Sequence, residues 1–595
     1  MKRAKKVNSY VIEPKADGFS KAWESFHATN PSSIRLNGYD GVILAYRAGG
    51  ENDKFFMYDK FVWGSSMGLC LLDSRGEKVR YRFPLPVFKC NRKMKKLPQT
   101  KEEFEEYQKI YKDELAVLHD FRLFSIGETL YVLMHDGTLT YCYDTIQKIE
   151  IKDFIDRINQ SITLIDTNSV TEESWGEIWW KEGVFTPCGN DGTNKYWAST
   201  VNKTDIIVIQ LENGKIQINH RAVPDYAVIE TDGEVFSSAT ADGFTKYGVL
   251  ENCVRPGFFD NSHVGNNGNP ILATIKGAPV YLDIVHGVTN HSITDLKPDS
   301  PWDMEYVPYF RLKSTTTGEV LYYSKEPVLE CDEIWKEYVQ DGAWVSKLAH
   351  LRGVMFTGGQ VAKNPDRITE TDEFCFYTGV GDTAVAMADF KICDLMDEEE
   401  MNEVSNYRKN ERNRKMLLVD ENKFKLDDAV KGWDYSIMNK DGRASIVRKK
   451  KSGICAGETA VRPVHSCAGY FDFGASIFDG KSVYQTKYGT LIVLKGINYR
   501  YEGDKIYSKV GYGVVILSKE HPEKILYHSE KSIIPTEEFE GNTFGKEFKN
   551  FDIETLLGSI DKKVLDEILV TYEMIENGKT FSSDHKKWLE SRAEV

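Results

Sequence analysis

The chain has 595 residues, 41% hydrophobic and 28% charged, the make-up of a folded globular protein and not of a disordered or collagen-like chain. Its 76 Lys and Arg against 90 Asp and Glu leave a net charge of −14, which argues against a general nucleic-acid binder or a partner of anionic membranes. The aromatic content is the outlier: 31 Tyr, 30 Phe and 11 Trp, with 46 Gly, lean towards β-structure, with rings that serve as core or as platforms for the C–H faces of sugars. A chain this long divides into roughly three to five compact units.

Met1-Lys-Arg-Ala-Lys-Lys is basic but leads into no apolar signal segment, and no run of about 18 apolar residues occurs, so the reading is a cytoplasmic chain with no membrane span. The ten cysteines are scattered without a CxxC pair and read as reduced core thiols. Strands are predicted over 41–47, 128–134, 205–211 and 279–285, separated by Gly/Asn/Asp turns, the spacing of a sandwich or a propeller. One helix is predicted among them over 101–118, capped by Thr100, with Phe104, Tyr107 and Tyr111 on one face. The composition changes at 394–416 to a charged run, read as a solvated connecting helix. Strands resume over 445–529, and a helix over 553–575 carries Leu556, Ile560, Val564, Leu565 and Ile568 on a broad apolar face. That face is expected to pack on the adjoining module; self-association through it stays open.

Residues 318–329 echo 522–535 around the pairs Leu321-Tyr322 and Leu526-Tyr527, and Gly287 and Gly496 precede them at nearly equal distance. Such self-similarity belongs to blade architectures. The boundaries drawn are 1–393 for a catalytic-like propeller, 394–430 for a charged linker, and 431–595 for a β-rich module ending in a helix.

Six fragments, in order over residues 25–392, resemble the five-bladed β-propeller family of β-mannoside phosphorylases and related hydrolases. Asn30-Pro31 followed by Leu44 to Arg47 resembles its opening blade, and His119-Asp120-Phe121-Arg122 its Glu-Asp-Pro-Arg motif. Asn194-Lys195-Tyr196-Trp197 is similar to Lys-Asn-Trp. Gly265, Gly268 and Pro270 with His286-Gly287 are similar to the Gly-x-Gly-x-Pro and Tyr-His-Gly pair. Gly358-Gly359 and Gly379-Val380-Gly381-Asp382 resemble the closing blade, and residues 470–540 resemble the fourth blade a second time.

The resemblance implies a mainly β fold, a five-bladed β-propeller with a partial propeller-like module behind it, and inverting phosphorolysis, or the reverse synthesis, of a β-linked mannoside or other hexoside. Cleaving a glycosidic bond needs a proton for the leaving oxygen and a nucleophile on the opposite face. By the same resemblance Asp120 is the proton donor, and Arg122 orients a sugar hydroxyl or a carboxylate. Asn30, Arg47 and Asp382 line the sugar cavity with Trp197 as a platform, and His286 meets phosphate with Arg255, Lys195 and Tyr306. No organic cofactor or metal is called for; inorganic phosphate or a sugar phosphate is the co-substrate. Without the resemblance, Asp120 and Asp382 read as turn residues, His286 as a strand-end histidine and Trp197 and Trp302 as core. The acid motif departs from the family at His119 and Phe121, the family's pair of arginines in its second and third blades is not placed in this sequence, and Lys495 stands in the second copy where His286 stands in the first. Glycosyl transfer on the same scaffold, and an inactive propeller that binds glycan or protein, are the competing readings.

Overall fold

The computed structural model describes residues 7–50, 53–57, 60–63, 66–89, 97–111, 115–138, 142–187, 197–198, 206–213, 216–221, 226–231, 263–265, 269–290, 304–329, 355–365, 368–414, 422–426, 432–452, 459–464, 466–519, 522, 525–545, 547–566 and 568–569. Five antiparallel sheets succeed one another as the blades of a propeller. Blade 1 runs His27–Ile34, Val42–Gly49, Ser66–Leu72 and Val79–Arg82. Blade 2 runs Leu115–Ile126, Thr129–Thr138 and Cys142–Glu150, with Thr186–Pro187 and Trp197–Ala198 on its outer edge. Blade 3 is Ile206–Gln210, Ile216–Arg221 and Tyr226–Thr231. In blade 4, His263–Gly265 and Ile271–Ile275 both pair with Ala278–Asn290, followed by Met304–Ser314 and Val320–Tyr323. Blade 5 is Met355–Ala362, Glu373–Val380 and Ala384–Lys391, and its fourth strand is the N-terminal Val7–Ile12, which closes the ring.

The apolar strands read as continuous runs because neighbouring blades cover both faces of each sheet. Val42, Ile43, Leu44, Ala45 and Tyr46 all have no exposure: Ile43 and Ala45 pack towards blade 2, Val42, Leu44 and Tyr46 towards blade 5. Burial of such side chains is worth about 1.5–3 kcal/mol each, and it holds the blades in register around the axis.

The helix predicted over 101–118 ends at Ile110, and Leu115–Ile126 is instead the inner strand of blade 2. Leu118, Leu123 and the strand-paired backbone around them belong to the blade core, so tertiary pairing overrides the helical pattern at its C-terminal end. Thr100 caps the helix as expected, accepting from the Glu103 amide at 3.2 Å. Two helices that the strand reading passed over, Ile151–Asp166 and Glu172–Trp179, pack on blade 2 through Phe154, Ile158, Trp175 and Trp179.

The charged helix Glu398–Arg414 is solvated on one face only, with Glu398, Glu399, Asn402 and Lys409 exposed. Met401, Val404 and Tyr407 are buried in a core shared with blades 4 and 5 and with Cys467 to Phe473. Tyr407 stacks on Phe473 at 4.6 Å and donates to Glu319 at 2.8 Å, so the helix is wedged between blade 4 and the chain that follows. Two further four-stranded meanders follow: Lys423–Lys425, Trp433–Lys440, Arg443–Lys450 and Thr459–Pro463, then Ala475–Thr486, Gly489–Glu502, Lys505–Leu517 and Ile525–His528. The predicted terminal helix is interrupted: Ile553–Gly558 stops at Gly558 and helix resumes after Asp561, with residues 570–575 outside the described residues. Its apolar face packs as expected, with Leu556, Ile560, Leu565 and Ile568 against Leu491, Val493 and Val514.

Candidate active site

The inner strands of blades 1 and 2 each carry a β-bulge at the same level, between Thr29 and Ser32 and between His119 and Arg122. An extra residue in one strand breaks the in–out alternation and re-aims a side chain. Here the re-aimed residues are Asn30 and Asp120, and both hold left-handed backbone, φ 47° and 51°. Asp382 does so too, at φ 55°, in the hairpin of blade 5, where Gly381 at φ 58° and Asp382 form the two central residues of a type I′ turn closed by Thr383 N–H to the Val380 carbonyl.

These three converge on one network. Asn30 Nδ2 donates to Asp120 Oδ1 at 2.8 Å. Arg47, from the second strand of blade 1, lies with Nη1 3.6 Å from Asp120 Oδ1 and Nη2 3.0 Å from Asp382 Oδ2. The two carboxylates keep 24% and 27% side-chain exposure while Arg47 keeps 12%, so solvent reaches the acids and the guanidinium is the more buried partner. Of six non-glycine residues with positive φ among the described residues, three meet in this network. Each such residue costs of order 1 kcal/mol, and strain gathered in one place is a mark of function. Gly379 completes the wall: a Cβ there would come within 2.6 Å of Asn30 Oδ1 and 2.8 Å of its amide, so only glycine lets blade 5 approach Asn30.

Beside the network lies a buried layer. Arg122 has no exposure, donates to the carbonyls of Pro31 and Phe121, and sits 4.6 Å over the Phe356 ring. The bulge separates it from Asp120: the extended segment on which both would share a side is broken, and Arg122 points into the protein. His286 is also fully buried, with Nδ1 2.9 Å from Thr357 Oγ1 and its ring 4.6 Å from Phe356 and 5.7 Å from Tyr306. The strand of Trp197 pairs with Cys142–Glu150 on the outer edge of blade 2. Arg255, Lys195 and Trp302 lie outside the described residues. Sequence reasoning assigned no role to Phe356 and Thr357, which join the histidine to the arginine. The only signal was their place directly before Gly358-Gly359, a pair that packs against Pro31 and Ser33.

No group of His, Cys, Asp and Glu among the described residues is arranged to hold a metal ion, and no described helix is long and apolar enough to cross a membrane. Cys70, Cys375, Cys393 and Cys467 are free thiols.

No protein-family model matches this chain, and no curated relative does. Among solved structures, the chain is similar to a β-1,2-mannobiose phosphorylase from Listeria innocua, at 17% identity over 65% of this chain and 95% of that one, with a TM-score of 0.38. It is similar to a glycosyl hydrolase from Bacteroides ovatus at 15% identity over 66% and 93%, TM-score 0.39. It is also similar to the Bacillus subtilis arabinanase Arb43A at 9% identity over 62% and 95%, TM-score 0.29.

Proposed function

We propose that this protein is a carbohydrate-active enzyme that cleaves, or in reverse forms, a β-linked mannoside or related hexoside by inverting phosphorolysis at the centre of its propeller. The observation that carries the reading is the Asn30–Asp120–Arg47–Asp382 network, built by three blades on strained backbone. Asp120 is the general acid. Its Oδ1 faces Asn30 and Arg47, so the proton given to the leaving oxygen sits on Oδ2. Asp382, fixed by the other arm of Arg47, accepts from hydroxyls of the reacting sugar. An anionic co-substrate is drawn by Arg47 and, behind Phe356, by the buried charge of Arg122 beside His286.

One observation favours a second reading. Asp382 is a second carboxylate on the same guanidinium, and an inverting hydrolase needs such a partner, at about 6.5–9.5 Å, as general base for water.

The test incubates β-mannosides with and without phosphate, and mannose 1-phosphate with acceptor sugars. Phosphate-dependent release of the α-1-phosphate is expected; free mannose without phosphate selects the hydrolytic reading, and transfer only from a nucleotide sugar selects a glycosyltransferase. Asp120→Asn is expected to lower turnover by about 10²–10⁴ with sugar affinity nearly intact. The amide keeps an acceptor for Asn30, and asparagine tolerates the left-handed backbone, so the fold is retained. Glycan binding with no turnover in any format, and no effect of Asp120→Asn, would make the protein a binding propeller.

A further inference from the structure

The final meander repeats blade 4 at the level of single hydrogen bonds. Gly287 pairs with Val307 as Gly496 pairs with Gly511, and Leu312 with Tyr322 as Ile516 with Tyr527, with a register shift immediately after each. Ser324 Oγ accepts from the Phe310 amide as Ser529 Oγ does from that of Val514. The Val328 amide reaches the Pro308 carbonyl as that of Ile533 reaches Tyr512. By this register Lys495, opposite Tyr512, occupies the position of His286, opposite Pro308.

What surrounds the two positions differs. His286 is packed in by Phe356 and Tyr306, whereas Lys495 lines a cavity of about 280 Å³ walled by Tyr512, Phe539, Phe544 and Phe548, with Lys549 at its rim. Lys495 is only 4% exposed, with its Nζ 5.6 Å from the Tyr512 ring centroid and 3.4 Å from the Glu547 carbonyl. Lys549 Nζ is 5.9 Å from the same ring and is paired with the exposed Glu537 at 2.6 Å. Two ammonium groups therefore lie near one aromatic ring, Lys495 within and Lys549 at the exposed rim of a cavity near the lower size limit of small-molecule sites. A sugar's C–H face stacks on such a ring, and a dianion matches two ammonium groups better than a monoanion does.

We propose that this cavity is a second ligand site, which takes a phosphorylated monosaccharide with its sugar face on Tyr512 and its phosphate between Lys495 and Lys549, displacing Glu537 from Lys549. Burial lowers the pKa of the Lys495 ammonium, and Lys549 adds to this against Glu537; a bound dianion reverses that effect. The site is independent of the role assigned to Asp120.

Calorimetric titration of the full chain with mannose 1-phosphate tests the proposal, with mannose, inorganic phosphate and benzoate as comparison probes. Binding is expected to weaken by about tenfold or more in Lys495→Met and severalfold in Lys549→Gln, and to leave a component untouched by Arg47→Gln, a change in the central network. Mannose and phosphate alone should bind far more weakly than the two joined. Lys495→Met keeps the side-chain volume and removes a buried charge, so its melting temperature should hold or rise. If it fails to fold, the exposed rim variant Lys549→Gln carries the test. Affinity unchanged in both lysine variants, no heat with any probe, or benzoate binding in preference to mannose 1-phosphate would overturn the proposal. Loss only in Arg47→Gln would assign all binding to the central network and likewise overturn it.

Discussion

At the scale of single residues, the strongest constraints fall on backbone. Asn30, Asp120 and Asp382 are short polar residues that tolerate left-handed conformation, and glycine alone fits opposite Asn30 at position 379. Gly379→Ala is expected to push the second strand of blade 5 away from the inner strand of blade 1 and to lower activity more than stability, read as a fall in kcat/KM beside a shift of only a few degrees in melting temperature. A second residue-scale prediction concerns Glu403, on the connecting helix. Burial, reinforced by Glu399 and Glu400 and opposed by the Gly469 amide and Lys509, raises its carboxyl to about 7. An acid whose folded pKa is raised contributes stability that is fully present below its unfolded value near 4.5 and is lost as pH rises through about 7. Stability should therefore fall between about pH 4.5 and 7 by on the order of 3 kcal/mol or less, read as a falling melting temperature, and Glu403→Gln should flatten that slope. An unchanged slope in the variant would mean that other groups govern it.

At the scale of elements, the helix at 101–110 stops short of its predicted end because strand pairing claims the residues from Leu115 on. The apolar spacing of Ile151, Phe154, Ile155 and Ile158 is helical and legible, but it follows a strand without a break, and the sequence reading places no element there. In the same way, the charge of 398–414 concealed a buried stripe at Met401, Val404 and Tyr407, because acids and bases there find partners on blade 4 and in the loop around Gly469 instead of water. The acid Asp120 and its partners Arg47 and Asp382 were legible as motif fragments. The bulge that turns Arg122 away from Asp120 was not, since register is set by pairing with Thr129–Thr138 and leaves no mark in the segment itself. The terminal helix gives the element-scale prediction. Truncation after Phe548 exposes Leu491, Val493 and Val514, removing the cover of four buried side chains worth about 1.5–3 kcal/mol each. Aggregation and loss of the sharp melting transition are expected in light scattering and calorimetry; a monodisperse product with an unchanged melting curve would refute the packing role.

At the scale of the whole molecule, one strand completes the last blade of the ring. Val7–Ile12 pairs with Ala384–Lys391 and buries Ile12 between blades 5 and 1. Deleting residues 1–12 leaves Ala384–Lys391 as an open edge, and the expected outcome is a lower melting temperature with self-association, both suppressed by a peptide that restores the missing strand. The same seam sets an order in time. Val7 meets Ala388, so this strand, synthesised ahead of blade 1, waits for blade 5 before it has a partner. Joining segments so far apart in a flexible chain carries an entropy cost of about 5 kcal/mol, more than any local hairpin, so closure is expected to come after the blades have formed. Through that interval two bare strand edges coexist in one chain, and a second molecule at the same stage offers each of them the partner it lacks. The yield of folded protein should accordingly depend on how crowded its nascent copies are, long after each blade has formed.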